Sequence, residues 1–133
     1  MVRDGQRICL TTDCWTSIRQ INYLCLTAHY VDSEWSLQKR ILNFVQIPNH
    51  KGDTIGKVIE SCLNGRGIER VLTITVDNVT ANNVAIAFVR KRVCGWRSDV
   101  LDGEHMHMRC CDLVVNLVGR DGLKELNESI SAI

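Results

Sequence analysis

Leu10-Thr-Thr-Asp-Cys-Trp-Thr-Ser17 and Thr73-Ile-Thr-Val-Asp-Asn-Val-Thr-Ala-Asn-Asn83 decide how this chain is read. In each, a β-branched, apolar run stops at an aspartate, Asp13 or Asp77, and small polar residues follow. An ionised carboxylate is costly to bury, so the last residue of a buried strand is a natural place to keep one wet. Val71–Val76 is a near-continuous β-branched run of the kind found inside a parallel sheet.

Outward from these two strands, periodicity sets the rest of the order. Arg7–Cys14 holds the first strand, reached so soon after Met1 that the chain reads as part of a longer domain. Asn22–Val31 alternates, with Leu24, Leu26, Ala28 and Tyr30 on one face. Asp32-Ser33-Glu34 supplies turn chemistry, and Trp35–Gln46 a partner strand carrying Ile41, Leu42, Phe44 and Val45. Pro48 and Asn49-His-Lys-Gly52 break the pattern.

Asp53 or Thr54 then caps a helix with Ile55, Val58, Ile59, Cys62 and Leu63 at helical spacing, closed by Gly65 and Gly67. Thr80 caps a second helix with a staple between Val79 and Val84, running to the cations Arg90-Lys91-Arg92. Cys94–Gly103 reads as irregular, Glu104–Cys111 as a strand, and Asp112 as the cap of a last helix with Leu113, Leu117, Leu123, Leu126 and Ile130. Gly119 and Gly122 weaken that helix by about 1 kcal/mol each relative to alanine. The order β-β-β-α-β-α-β-α predicts an α/β fold, a mixed sheet with helices on its faces.

With right-handed crossovers, the first and fourth strands become central neighbours at the point where strand order reverses. Ligand sites of open α/β sheets lie outside the carboxyl ends of strands at such a point. Adjacent backbones lie roughly 4.8 Å apart, and carboxylates at that spacing suit metal ions about 3.5–4 Å apart. On the residues alone two readings of Asp13 and Asp77 stand: metal ligands, or caps for the segments that follow.

At 133 residues, 45% hydrophobic and 23% charged, the chain has the composition of one soluble globular domain. A net charge of +1 excludes a general electrostatic case for nucleic-acid binding, so any basic patch is local. The seven cysteines are odd in number, and Cys9, Cys25 and Cys62 read as small buried hydrophobes of a reducing, intracellular compartment. No apolar run reaches the roughly 18 residues a membrane span needs.

The two quoted stretches, with Met108-Arg-Cys-Cys111, Asn116-Leu117 and Asp121-Gly-Leu-Lys124, resemble plant hAT-superfamily transposases of the BED-finger-associated, RICESLEEPER-like type. The resemblance spans essentially the whole chain. It implies an RNase H-like fold with an Asp-Asp-Glu site for DNA strand cleavage and transfer, in which Asp13 and Asp77 match the first two metal-binding acids. It further implies Mg²⁺ or Mn²⁺ as cofactor, DNA as partner, a nuclear location, and homo-oligomers only in the full-length protein. Residues 1–111 correspond to the N-terminal part of the RNase H-like domain and residues 112–133 to the start of a helical insertion. The BED zinc finger and the C-terminal dimerisation region fall outside the chain.

The family's Cys-x-x-His after the fifth strand is changed, with Leu113 in the histidine position. Its third acid, a glutamate beyond the insertion, has no counterpart here, and Glu125 and Glu128 read as a solvated helix face. The expectation is a chain inactive by itself, or an interaction module that keeps the fold as scaffold. His105, His107, Cys110 and Cys111 lack the paired knuckles of structural zinc, so zinc is not expected. Trp15 is expected in the core and Arg90-Lys91-Arg92 at a solvated helix end.

Overall fold

A computed structural model describes residues 7–76, 80–93 and 106–131. Five strands and three helices follow in the order β1 (Ile8–Thr16), β2 (Asn22–Val31), β3 (Leu37–Ile47), α1 (Gly52–Gly65), β4 (Val71–Val76), α2 (Thr80–Val93), β5 (His107–Arg109) and α3 (Cys111–Ser131). The sheet order is β3-β2-β1-β4-β5. β1–β2 and β2–β3 are antiparallel, whereas β1–β4 and β4–β5 are parallel. The expected mixed α/β sheet is present, with β1 and β4 as neighbours at the reversal of strand order.

One face of this sheet is closed. Leu10, Leu24, Leu26, Ala28 and Ile74 are fully buried and join Ile55, Ile59 and Leu63 of α1 and Ala85 and Val89 of α2 in a single core. Burying a side chain of this size is worth about 1.5–3 kcal/mol, which is why period-2 strands and i, i+3, i+4 helices settle face to face. The two helices touch closely at Gly56, where an added Cβ would stand 2.8 Å from Phe88 Cδ1.

β3 departs from simple alternation. Its register against β2 shifts between Leu26 and Thr27, which pair with Asn43 and Ile41, so Leu42 is an extra residue. The bulge turns Leu42 into the core and leaves Ile41 and Phe44 exposed. The Leu42 carbonyl accepts from the Arg66 guanidinium. The turn before β3 is organised by Asp32, whose carboxylate accepts from Glu34 N, Ser36 N and Gln38 Nε2 at 2.9, 2.9 and 2.7 Å. Hydrogen bonds from Ser36 N and Gln38 hold its carboxyl below the usual range.

α1 begins one residue after Lys51, which makes no side-chain cap, so Asp53 and Thr54 are not the caps expected. Asn49 braces the approach to the helix, its Oδ1 accepting from Lys51 N at 3.0 Å and Thr54 Oγ1 at 2.9 Å. At the other end Gly67 N and Ile68 N donate to Asn64 O and Leu63 O, at 3.1 and 3.0 Å, with Gly67 at φ +62°. This is a Schellman closure, and it requires the glycine.

β5 is shorter than expected and ends at Arg109, and α3 begins at Cys111 rather than after an Asp112 cap. The cause is local: Val114 N donates to Cys110 O at 3.2 Å, so the first turn closes on the Cys110 carbonyl. α3 runs unbroken through Gly119 and Gly122, and Val115, Val118 and Leu123 stand exposed along it. Cys62 is buried as expected and burial pushes its thiol up, while Cys9 and Cys25 are only half-buried. The expected staple at Val79, the irregular segment 94–103 and the strand start at Glu104 lie outside the described residues.

Two stability outcomes follow from these contacts. Gly56→Ala gains about 1 kcal/mol of helix propensity but overpacks Phe88 at a cost of about 1–3 kcal/mol. Urea denaturation should show net destabilisation, and a higher midpoint would contradict the close approach. Because the Asp32 carboxyl is held low, its contribution is present above the ordinary carboxylate value of 3.8 and is lost as pH falls through its lower folded-state value. The stability gap between wild type and Asp32→Ala should therefore be constant from pH 7 to 5 and narrow below pH 3.8.

Candidate functional site

β1 and β4 set the site. Thr11 is paired in register with Thr75, and in the sequence an aspartate follows each of these threonines by two residues. Asp13 lies within β1 opposite Cys25 of β2, and its side chain is exposed. It has the parity of Cys9, Thr11 and Trp15, opposite to buried Ile8 and Leu10. Asp13 is thus directed to the face of the sheet that α1 and α2 leave open. Asp77 directly follows Val76, the last residue of β4, and lies outside the described residues.

The open face carries an aromatic group, and Trp15 belongs to it rather than to the core as expected, being 36% exposed. Its ring stacks on Tyr23 at 5.8 Å and meets Phe44 at 5.5 Å, and Tyr23 and Phe44 stack at 5.6 Å. Cross-strand pairing accounts for the group, because Trp15 is opposite Tyr23 and Phe44 opposite Cys25. Trp15 and Asp13 could be matched by parity, but Phe44 depends on the β3 bulge, which alternation does not reveal. Farther along the same face, Thr11 Oγ1 and His29 Nε2 are 3.1 Å apart.

A polar knot pins the chain just past Asp13. Asn22 Oδ1 accepts from Thr16 Oγ1 at 2.8 Å and from His50 Nε2 at 2.9 Å, while Asn22 Nδ2 donates to Pro48 O at 3.3 Å. Three segments, the end of β1, the start of β2 and the loop before α1, are held together there. Ser17 closes the hairpin, its N donating to Ile21 O at 2.8 Å and its Oγ accepting from Ile21 N at 3.2 Å. This is what fixes the direction in which β1 presents its carboxyl end.

His107 lies in β5 whereas Cys111 opens α3, so the two do not share a strand face. His105 lies outside the described residues. Among the described residues, no group of three or more His, Cys, Asp or Glu could hold a metal ion. Asp13 is a hard oxygen donor open to solvent, which suits a hydrated Mg²⁺ or Mn²⁺. Arg90 and Lys91 are exposed on α2, three and two residues short of its end at Val93.

Residues 11–105 match the model of the ZBED1 RNase-like domain, a range that includes both aspartates. An AC transposase of Zea mays is 34% identical over 130 residues, 96% of this chain and 16% of the relative. The zinc finger BED domain-containing protein DAYSLEEPER of Arabidopsis thaliana is 31% identical over 90% of this chain and 17% of its own length. The protein RICESLEEPER 2 of Oryza sativa subsp. japonica is 27% identical over 91% of this chain and 17% of its own length. The chain therefore spans about a sixth of the length of these curated relatives. No solved structure matches.

Replacing Asn22 by alanine removes three hydrogen bonds of the knot beside Asp13. With each worth about 0.5–1.5 kcal/mol when buried and less when exposed, the expected loss is about 1 kcal/mol in urea denaturation. Unchanged stability would show that the knot does not hold the strand ends.

Proposed function

Because the chain belongs to the ZBED1 RNase-like domain family, within the hAT-type transposases and their BED-protein relatives, we propose that it supplies the first two carboxylates of a metal-dependent DNA strand-cleavage site and is inactive alone. The single observation that carries this reading is the register Thr11↔Thr75, from which Asp13 and Asp77 are reached by equal steps. Neighbouring anions repel, so a cation between them relieves both.

Asp13 and Asp77 would hold Mg²⁺ or Mn²⁺, since both offer hard oxygen donors. Such an ion, when bound, polarises a phosphoryl oxygen and makes a bound water or 3′-hydroxyl a better nucleophile. The chain's own part is to present the carboxylates on a rigid sheet and to keep β1 aimed through the Asn22 knot. The aromatic trio walls the same face. DNA as the partner and the nucleus as the location accord with relatives that are transposases and zinc finger BED proteins. No described helix is long and apolar enough to cross a membrane.

Inactivity alone is supported by Leu113 in place of the family histidine. A second reading, a scaffold for binding another protein, is favoured by the exposed Leu37, Ile41 and Phe44 on the open face and Val115 and Val118 on α3. Larger exposed apolar patches of this kind are usual at interaction surfaces.

Calorimetric titration separates the two. The catalytic-site reading expects saturable Mn²⁺ binding that Asp13→Asn and Asp77→Asn each weaken at least tenfold. Equal Mn²⁺ affinity in wild type and both variants would leave the scaffold reading. Metal-dependent nicking of supercoiled plasmid by the 133-residue chain, lost in Asp13→Asn, would overturn inactivity alone.

A further inference from the structure

A cavity of about 490 Å³ lies between α2 and β5, lined by Asn83, Ile86, Ala87, Arg90, Lys91 and His107. Its volume is within the range of small-ligand sites. Residues 83, 86, 87, 90 and 91 recur at three- and four-residue steps and so share one face of the helix. Over roughly 12 Å of helix, that face runs from an amide, across an apolar strip, to two cations. Ile86 is buried, whereas Asn83, Ala87, Arg90 and Lys91 are exposed, and His107 is half-buried.

The cavity is separate from the carboxylate site. His107 pairs in register with Ile74, whose side chain belongs to the helix-covered core, and Asp13 faces the other side of the sheet. Of the six lining residues, two are cationic, two more carry hydrogen-bonding side chains and none is acidic. In a chain of net charge +1 this is a local concentration of donors rather than part of a basic surface. A guanidinium and an ammonium lining one cavity can both donate to phosphate oxygens. The strip of Ile86 and Ala87 between them and Asn83 suits the apolar edge of a sugar.

We propose that this cavity is a phosphate site that takes the sugar–phosphate backbone of a polynucleotide, with Arg90 and Lys91 on the phosphate and Asn83 and His107 as further donors. The proposal rests on the reading of the chain as a DNA-handling domain, and it places a contact on the helix side of the sheet. The same phosphate chemistry is offered by a free nucleotide, which the test separates.

Fluorescence anisotropy of a labelled 20-mer, followed against salt in EDTA, reads this site without any contribution from a metal at the carboxylates. Arg90→Ala/Lys91→Ala should weaken binding at least tenfold at low salt and reduce the slope of log K against log salt by about one, for the one phosphate no longer neutralised. Ala87→Leu narrows the cavity without changing charge and should weaken binding at least threefold, while Lys57→Ala on α1 should not. Circular dichroism checks that each variant is folded. Unchanged affinity in Arg90→Ala/Lys91→Ala, or weakening there with none in Ala87→Leu, would overturn the cavity site. So would an unbound 20-mer, or adenosine monophosphate or inorganic phosphate that binds more tightly than the 20-mer. Because Mn²⁺ titration reports on Asp13 separately, failure there with cavity binding intact would remove the catalytic-site reading alone.

Discussion

The parallel pairing of β1 with β4 is the constraint from which the rest of the molecule follows. Leu10 is paired with Ile74 and Thr11 with Thr75, so one side of both strands is apolar and the other is hydroxylic. A slip of one residue in either strand would exchange those sides and expose Leu10 or Ile74. Each of those side chains is fully buried, and uncovering one costs about 1.5–3 kcal/mol. The same register that protects the core therefore fixes the level at which Asp13 stands.

The sheet that results has one finished face. α1 and α2 close the side of Leu10, Leu24, Leu26 and Ile74, and Gly56 lets the helices approach. Across the sheet, Asp13 shares the open face with the Trp15–Tyr23–Phe44 stack. Polar groups at the strand end are held by Asn22 and Ser17 rather than by a helix. The Asp13 carboxylate and the aromatic stack are thereby both on the side that α1 and α2 do not cover, while the cavity beside Arg90 and Lys91 opens on the covered one.

Much of this was legible in the residues because periodicity is a burial signal. β2 has the expected bounds, and Leu24, Leu26, Ala28 and Tyr30 are all buried. α1 buries Ile55, Ile59, Cys62 and Leu63 as its spacing predicts, and Gly67 ends it in the left-handed conformation. What was not legible depends on hydrogen bonds between segments. The Leu42 bulge exposes Ile41 and Phe44, a main-chain bond from Val114 to Cys110 starts α3 before Asp112, and Asn49, not an expected cap, braces the start of α1. Asp13 was expected at the carboxyl end of the first strand, and β1 runs on past it to Thr16. The aromatic trio and the α2–β5 cavity needed the register and the packing, since no local pattern brings Phe44 to Trp15 or His107 to Arg90.

Paramagnetic broadening by Mn²⁺ in a ¹⁵N–¹H spectrum of the chain tests the central claim most directly, because it locates the ion without assuming any activity. The account predicts that substoichiometric Mn²⁺ selectively removes the amide signals of Thr12, Asp13, Cys14 and Asp77 and leaves those of α1 around Lys57. In Asp13→Asn that selective removal should disappear. Broadening spread evenly over the surface, or centred elsewhere than on these strand ends, would contradict it.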